Sequence, residues 1–109
     1  MRLKPVQMFE LLWNSLKGQT LEREFKFHPE RRFRADYCHI STKVIIEVEG
    51  GLFMRARGGH GSPMGIIRDC EKSNEAQLLG YAFFRLNEKN INTTTITQLI
   101  SFIDKRINQ

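Results

Sequence analysis

The chain reads as an α/β fold, a mixed four-stranded sheet flanked by helices in the order helix, three strands, helix, strand, helix. Three observations predict it. Residues 44–48 form a near-continuous apolar run, Val44, Ile45, Ile46 and Val48 around one glutamate, as expected for a central strand covered on both faces. Residues 21–28 alternate, which is the period of a strand with one face turned inward. Helical spacing of apolar residues opens the chain, returns in its second half and closes it. At 109 residues there is room for one such core, so residues 1–109 are one domain.

Pro5 suits the first turn of a helix, and Phe9, Leu12, Trp13 and Leu16 recur at helical spacing until Gly18 stops the run, predicting a first helix over about residues 4–17. In residues 21–28, Leu21, Arg23, Phe25 and Phe27 are expected on one side and Glu22, Glu24, Lys26 and His28 on the other. His28-Pro29-Glu30-Arg31 reads as a turn into a second strand over residues 33–39, and Ser41-Thr42 as a short connection into the third, residues 43–49. Residues 50–65 are irregular, with six of the eight glycines, Arg55, Arg57 and His60, and are expected to cover one end of the sheet as a lid or clamp. A helix over about 65–80 and a strand over 81–86 follow. Thr93 or Thr94 is expected to cap a last helix whose apolar face is Ile96, Leu99, Ile100, Ile103 and Ile107.

Composition narrows the function. Hydrophobic residues at 40% and charged residues at 27% are the balance of a folded domain, and no apolar run approaches the length of a membrane span. Residues 1–10 lack the apolar core and small-residue cleavage site of a secretory signal, so a cytoplasmic location without membrane attachment is expected. Two cysteines, Cys38 and Cys70, are then expected as thiols. A zinc site from Cys38, His39, His60 and Cys70 lacks the paired spacing such sites use. The net charge of +5 favours a polyanionic partner, and Arg31, Arg32, Arg34, Arg55 and Arg57 are the candidate phosphate contacts.

The chemistry is carried by acids. Glu47 and Glu49, two apart in one strand, leave the same face. Asp36 lies on the preceding strand, where an antiparallel register can bring it beside Glu47. Glu47 is the sharpest signal, because a carboxylate inside Val-Ile-Ile-Glu-Val is costly unless paired or metal-bound. Taken singly, Asp36 reads as a strand end beside Arg34, and Glu49 as an exposed turn residue. Clustered acids in a polyanion-binding protein repel one another and the phosphate unless cations lie between them, and Mg²⁺ or Mn²⁺ suits such oxygen donors. That combination points to phosphodiester hydrolysis.

Arg-Ala-Asp36, followed about ten residues later by Ile46-Glu47-Val48-Glu49-Gly50, resembles the PD-(D/E)XK nuclease superfamily, with its restriction-endonuclease-like core. The nearer likeness is to its very-short-patch-repair-like endonuclease branch, of bacterial and phage genomes. Glu10-Leu-Leu-Trp13-Asn-Ser-Leu16 is similar to the first helix of that branch, and Phe33-Arg-Ala-Asp36-Tyr37 to its acidic strand. Asp69-Cys-Glu-Lys72-Ser-Asn74 and Leu79-Gly80-Tyr81-Ala-Phe-Phe-Arg85-Leu86 resemble its later helix and closing strand, so the likeness covers about residues 10–87. Ala35 replaces the proline of the motif, and Glu49 stands where many members have lysine.

The resemblance implies a metal-dependent DNA endonuclease of repair, recombination or phage DNA processing. Asp36, Glu47 and the Val48 carbonyl become metal ligands, Glu49 a ligand or water-activating base, and Glu10 a first-helix acid acting through water. His60 becomes a general acid or phosphate-orienting group, and Lys72 a cation near the scissile phosphate. Read without the resemblance, Glu10 is a solvated helix edge, His60 an exposed loop residue, and Asp69 with Lys72 a surface ion pair at helical spacing. The competing reading is a DNA-binding module without catalysis. The target structure is open at this level, and so is a homodimer that cuts both strands.

Overall fold

Pro5 sits in the first turn of helix α1 (Pro5–Ser15), where its missing N–H costs nothing, and the Gln7 side chain accepts the Lys4 N–H at 2.9 Å. Phe9 and Trp13, one turn apart, are the buried face of this helix. Gly18 follows because a Cβ there would run into the Trp13 indole, whose Nε1 donates to the Gln19 carbonyl at 2.8 Å. The computed structural model describes residues 2–50 and 63–109.

Strands β1 (Glu22–Lys26), β2 (Arg34–His39) and β3 (Val44–Val48) form an antiparallel meander, and β4 (Ala82–Leu86) joins β3 in parallel after helix α2 (Pro63–Leu78). The sheet order is β1-β2-β3-β4, and helix α3 (Thr93–Ile107) ends the chain. The predicted element order and the mixed four-stranded sheet are therefore present. Two apolar layers flank the sheet: Phe9, Trp13, Tyr37, Val44, Ile46 and Val48 pack with Ile96, Leu99 and Ile103 on the α1/α3 side, and Phe27, Phe33, Cys38 and Ile45 with Ala76 on the α2 side. Burial of consecutive residues Val44, Ile45 and Ile46 to within 1% exposure follows from this sandwiching.

Three local expectations are corrected. The alternation of residues 21–28 does not hold one face. Leu21 packs on the α1/α3 side but Phe25 and Phe27 on the α2 side, because Glu24 takes a left-handed φ of 51° and reverses the pleat. Helix α3 is capped by Asn92, not by Thr93 or Thr94; the Asn92 side chain accepts the Thr95 N–H at 2.9 Å. Ile107 is half exposed in the last turn and does not extend the buried stripe. No helix among the described residues is long and apolar enough to cross a membrane.

Candidate active site

Asp36 and Glu47 meet where two ladders stop. β1 and β2 pair Arg23 with Tyr37 and Phe25 with Ala35, leaving Glu24 and Asp36, at the same level, out of the ladder. β2 and β3 pair His39 with Val44, Cys38 with Ile45 and Tyr37 with Ile46; one step further would set Asp36 opposite Glu47. There the strands fork, and side chains replace the backbone ladder: the Asp36 N–H donates to Glu47 Oε2 at 2.7 Å, and the Val48 N–H donates to Asp36 Oδ2 at 2.9 Å. Each carboxylate thus satisfies an amide of the other strand, which fixes both and explains why acids are tolerated at the end of an apolar strand.

Burial raises both carboxyls above their ordinary values, against the opposing pull of the Val48 N–H and the Lys72 charge on Asp36, and of Lys72 and the Asp36 N–H on Glu47. Lys72 comes from α2 and donates to Glu47 Oε1; the two side chains are only 19% and 13% exposed. The surface ion pair between Asp69 and Lys72 is not formed. Asp69 instead faces Arg85, 3.4 Å away. Arg85 stands level with Glu47 on the parallel strand β4, and its Nε and Nη2 lie 2.8 and 2.6 Å from Glu49 Oε1. Burial pulls the Arg85 guanidinium down, but the bonds and charges of Glu49 and Asp69 outweigh it and hold it above its ordinary value.

Asp36, Glu47, Val48, Glu49, Gly50, Asp69 and Arg85 line a cavity of about 230 Å³. Among the described residues, Lys72 pairs with Glu47, and Arg85 reaches both Glu49 and Asp69. Among the described residues no group of three or more His, Cys, Asp or Glu side chains is gathered as metal ligands. Two fixed carboxylates in a cavity that Val48 also lines nevertheless offer oxygen donors, and their desolvation disfavours charge that a divalent ion would restore. Such a set fits Mg²⁺ or Mn²⁺, which keep several waters when protein donors are few.

The other candidates are dispersed. Glu10 is not brought to this cavity. It accepts the Tyr37 hydroxyl at 2.5 Å and lies 3.6 Å from Arg23, in a separate groove with Trp13 and Gln19. Tyr37 and Asp36 are strand neighbours and so point to opposite faces, which separates the two acids. Arg31 pairs with Glu71, Arg34 lies 3.8 Å from Glu24, and Arg32 is exposed. His60, Arg55 and Arg57, with the expected lid, lie outside the described residues. Cys38 is buried and Cys70 exposed, and both are free thiols.

Sequence reasoning gave Arg85 no role. Its signal was available: a cation inside the apolar strand Ala82-Phe-Phe-Arg85-Leu86 is as conspicuous as Glu47 inside β3, and it implied an acid opposite. No family model, no curated protein and no solved structure matches the chain.

Proposed function

We propose that the protein is a metal-dependent phosphodiesterase and, within that class, a DNA endonuclease. The observation that carries this reading is the fork between β2 and β3, where Asp36 and Glu47 are locked by each other's strands beside Lys72. Asp36, Glu47 and the Val48 carbonyl would hold Mg²⁺ or Mn²⁺. When bound, the ion supplies a Lewis acid at the phosphoryl oxygens.

The remaining steps belong to side chains. Glu49, held by Arg85, would take the proton of an attacking water at its carboxylate. The Lys72 ammonium, held against Glu47, would offset negative charge developing on the phosphoryl group, and Arg85, which lines the cavity, would add a second positive charge. The surplus of basic residues supports a polyanionic substrate. DNA as that substrate, and the likeness to very-short-patch-repair-like endonucleases, rest on the sequence motif.

The second reading, a DNA-binding module without catalysis, is favoured by the internal pairing of Glu47 with Lys72 and of Glu49 with Arg85, which leaves these acids satisfied without a metal. Labelled duplex, mismatched, single-stranded and four-way-junction DNA, incubated with Mg²⁺, Mn²⁺ or EDTA, separates the two. Metal-dependent cutting lost in Glu47→Ala supports the nuclease; binding without cutting, equal in both proteins, supports the module.

A further inference from the structure

A second and larger cavity, about 510 Å³, opens beside the acid site between the β1–β2 turn and the first turns of α2. Its lining combines Arg31, Arg32 and Arg68 with Phe33, Met64 and Ile67. The two walls are tied together twice. Arg31 Nη2 donates to Glu71 at 2.8 Å, and His28 bridges the turn to Glu75, also at 2.8 Å. His28 Nδ1 accepts the N–H groups of Glu30 and Arg31 at 3.1 and 2.9 Å, so its proton sits on Nε2 and is donated to Glu75. The turn presenting the arginines is therefore held in place. The Arg31 guanidinium lies over the Phe33 ring, 4.5 Å from its centroid, yet the side chain stays 47% exposed. Met64 and Ile67 are 74% and 51% exposed.

We propose that this cavity holds an unpaired nucleotide of the strand that passes through the acid site. The proposal deepens the nuclease reading and rests on it for the identity of the strand. Paired duplex shows a protein mainly phosphates and groove edges, for which cations alone suffice. Apolar side chains set among three arginines match the two parts of an extruded nucleotide: the base lies against Met64, Ile67 and the Arg31 plane, and the phosphates meet Arg32 and Arg68. Phe33 is three residues before Asp36, roughly 10 Å at strand rise, so one strand reaches both cavities. The preferred substrate is DNA with a single-stranded element beside the cut, such as a flap, a junction or an extruded mismatch.

Binding in EDTA tests this without cleavage. Fluorescence anisotropy compares a blunt duplex, the same duplex with an unpaired tail, and that duplex with an abasic tail of equal phosphate count. The expected result is roughly tenfold tighter binding of the normal tail than of the blunt end, with the abasic tail losing most of that gain. Met64→Ser with Ile67→Ser, at exposed positions that do not threaten folding, is expected to abolish the preference while leaving duplex affinity in place. Equal binding of normal and abasic tails, or an acidic peptide competing as well as tailed DNA, overturns the proposal. Tail preference without cleavage in Mg²⁺ upholds the cavity and removes the nuclease; cleavage without tail preference does the reverse.

Discussion

With Lys72 replaced by Met, the Glu47 carboxylate keeps its burial and its bond from the Asp36 N–H but loses the ammonium at its other oxygen. Cleavage is expected to fall by about 10²- to 10³-fold, the usual effect of removing one donor from a preorganised site, with a native circular dichroism spectrum. A near-normal rate would assign Lys72 to structure alone. Tyr37→Phe is the complementary test on the other face. It removes the 2.5 Å bond to Glu10, at about 0.5–1.5 kcal/mol of stability, and cleavage is expected to stay near the wild-type rate. A large loss of turnover would return Glu10 to the catalytic set. Cys38 adds a pH dependence: burial, helped by Glu22, pushes its thiol from 9.0 to about 11. The folded form thus holds its proton where the unfolded chain releases it. This contribution is complete below about pH 9 and lost as pH rises to about 11, roughly 3 kcal/mol in all. Urea midpoints across that window, flattened in Cys38→Ala, check it.

At the scale of elements, what could be read in advance was what repeats. The apolar stripe of α3, the buried run of β3 and the Pro5-to-Gly18 frame of α1 are periodic signals, and each element lies within a few residues of its expected bounds. Glu24 was not legible, because a left-handed φ at a glutamate has no composition signature and arises where the strands fork around Asp36. The Asn92 cap carried a signal, since asparagine caps better than threonine, but the two threonines that follow it competed for the position. Asn92→Ala is expected to cost about 1 kcal/mol in thermal unfolding, and Thr93→Ala much less. The reverse order would restore the threonine as cap. The acid pair itself was legible from Glu47, a charge in an apolar strand; the partners of Glu49 and Asp69 were not, since Arg85 reaches them only through the parallel pairing of β3 with β4.

At the scale of the whole molecule, the proposed metal site predicts a fold whose stability responds to divalent ions. Millimolar Mg²⁺ is expected to raise the thermal midpoint of the wild type through preferential binding to the folded state, and to leave Glu47→Ala unmoved. Equal shifts in both proteins would take the ion away from this cavity.

The parallel arrangement of β3 and β4 also governs when the site comes into being. A chain that has left the ribosome only as far as β3 carries Asp36, Glu47 and Glu49, but neither Lys72 nor Arg85. It lacks these two partners of Glu47 and Glu49, and the wall of the larger cavity contributed by Met64, Ile67 and Arg68 is also missing. Completion requires a contact between residues 36 positions apart, Glu49 and Arg85, of the kind that forms late because loop closure comes first. In the proposed nuclease, cleavage would in this way be withheld from nascent and truncated chains by connectivity.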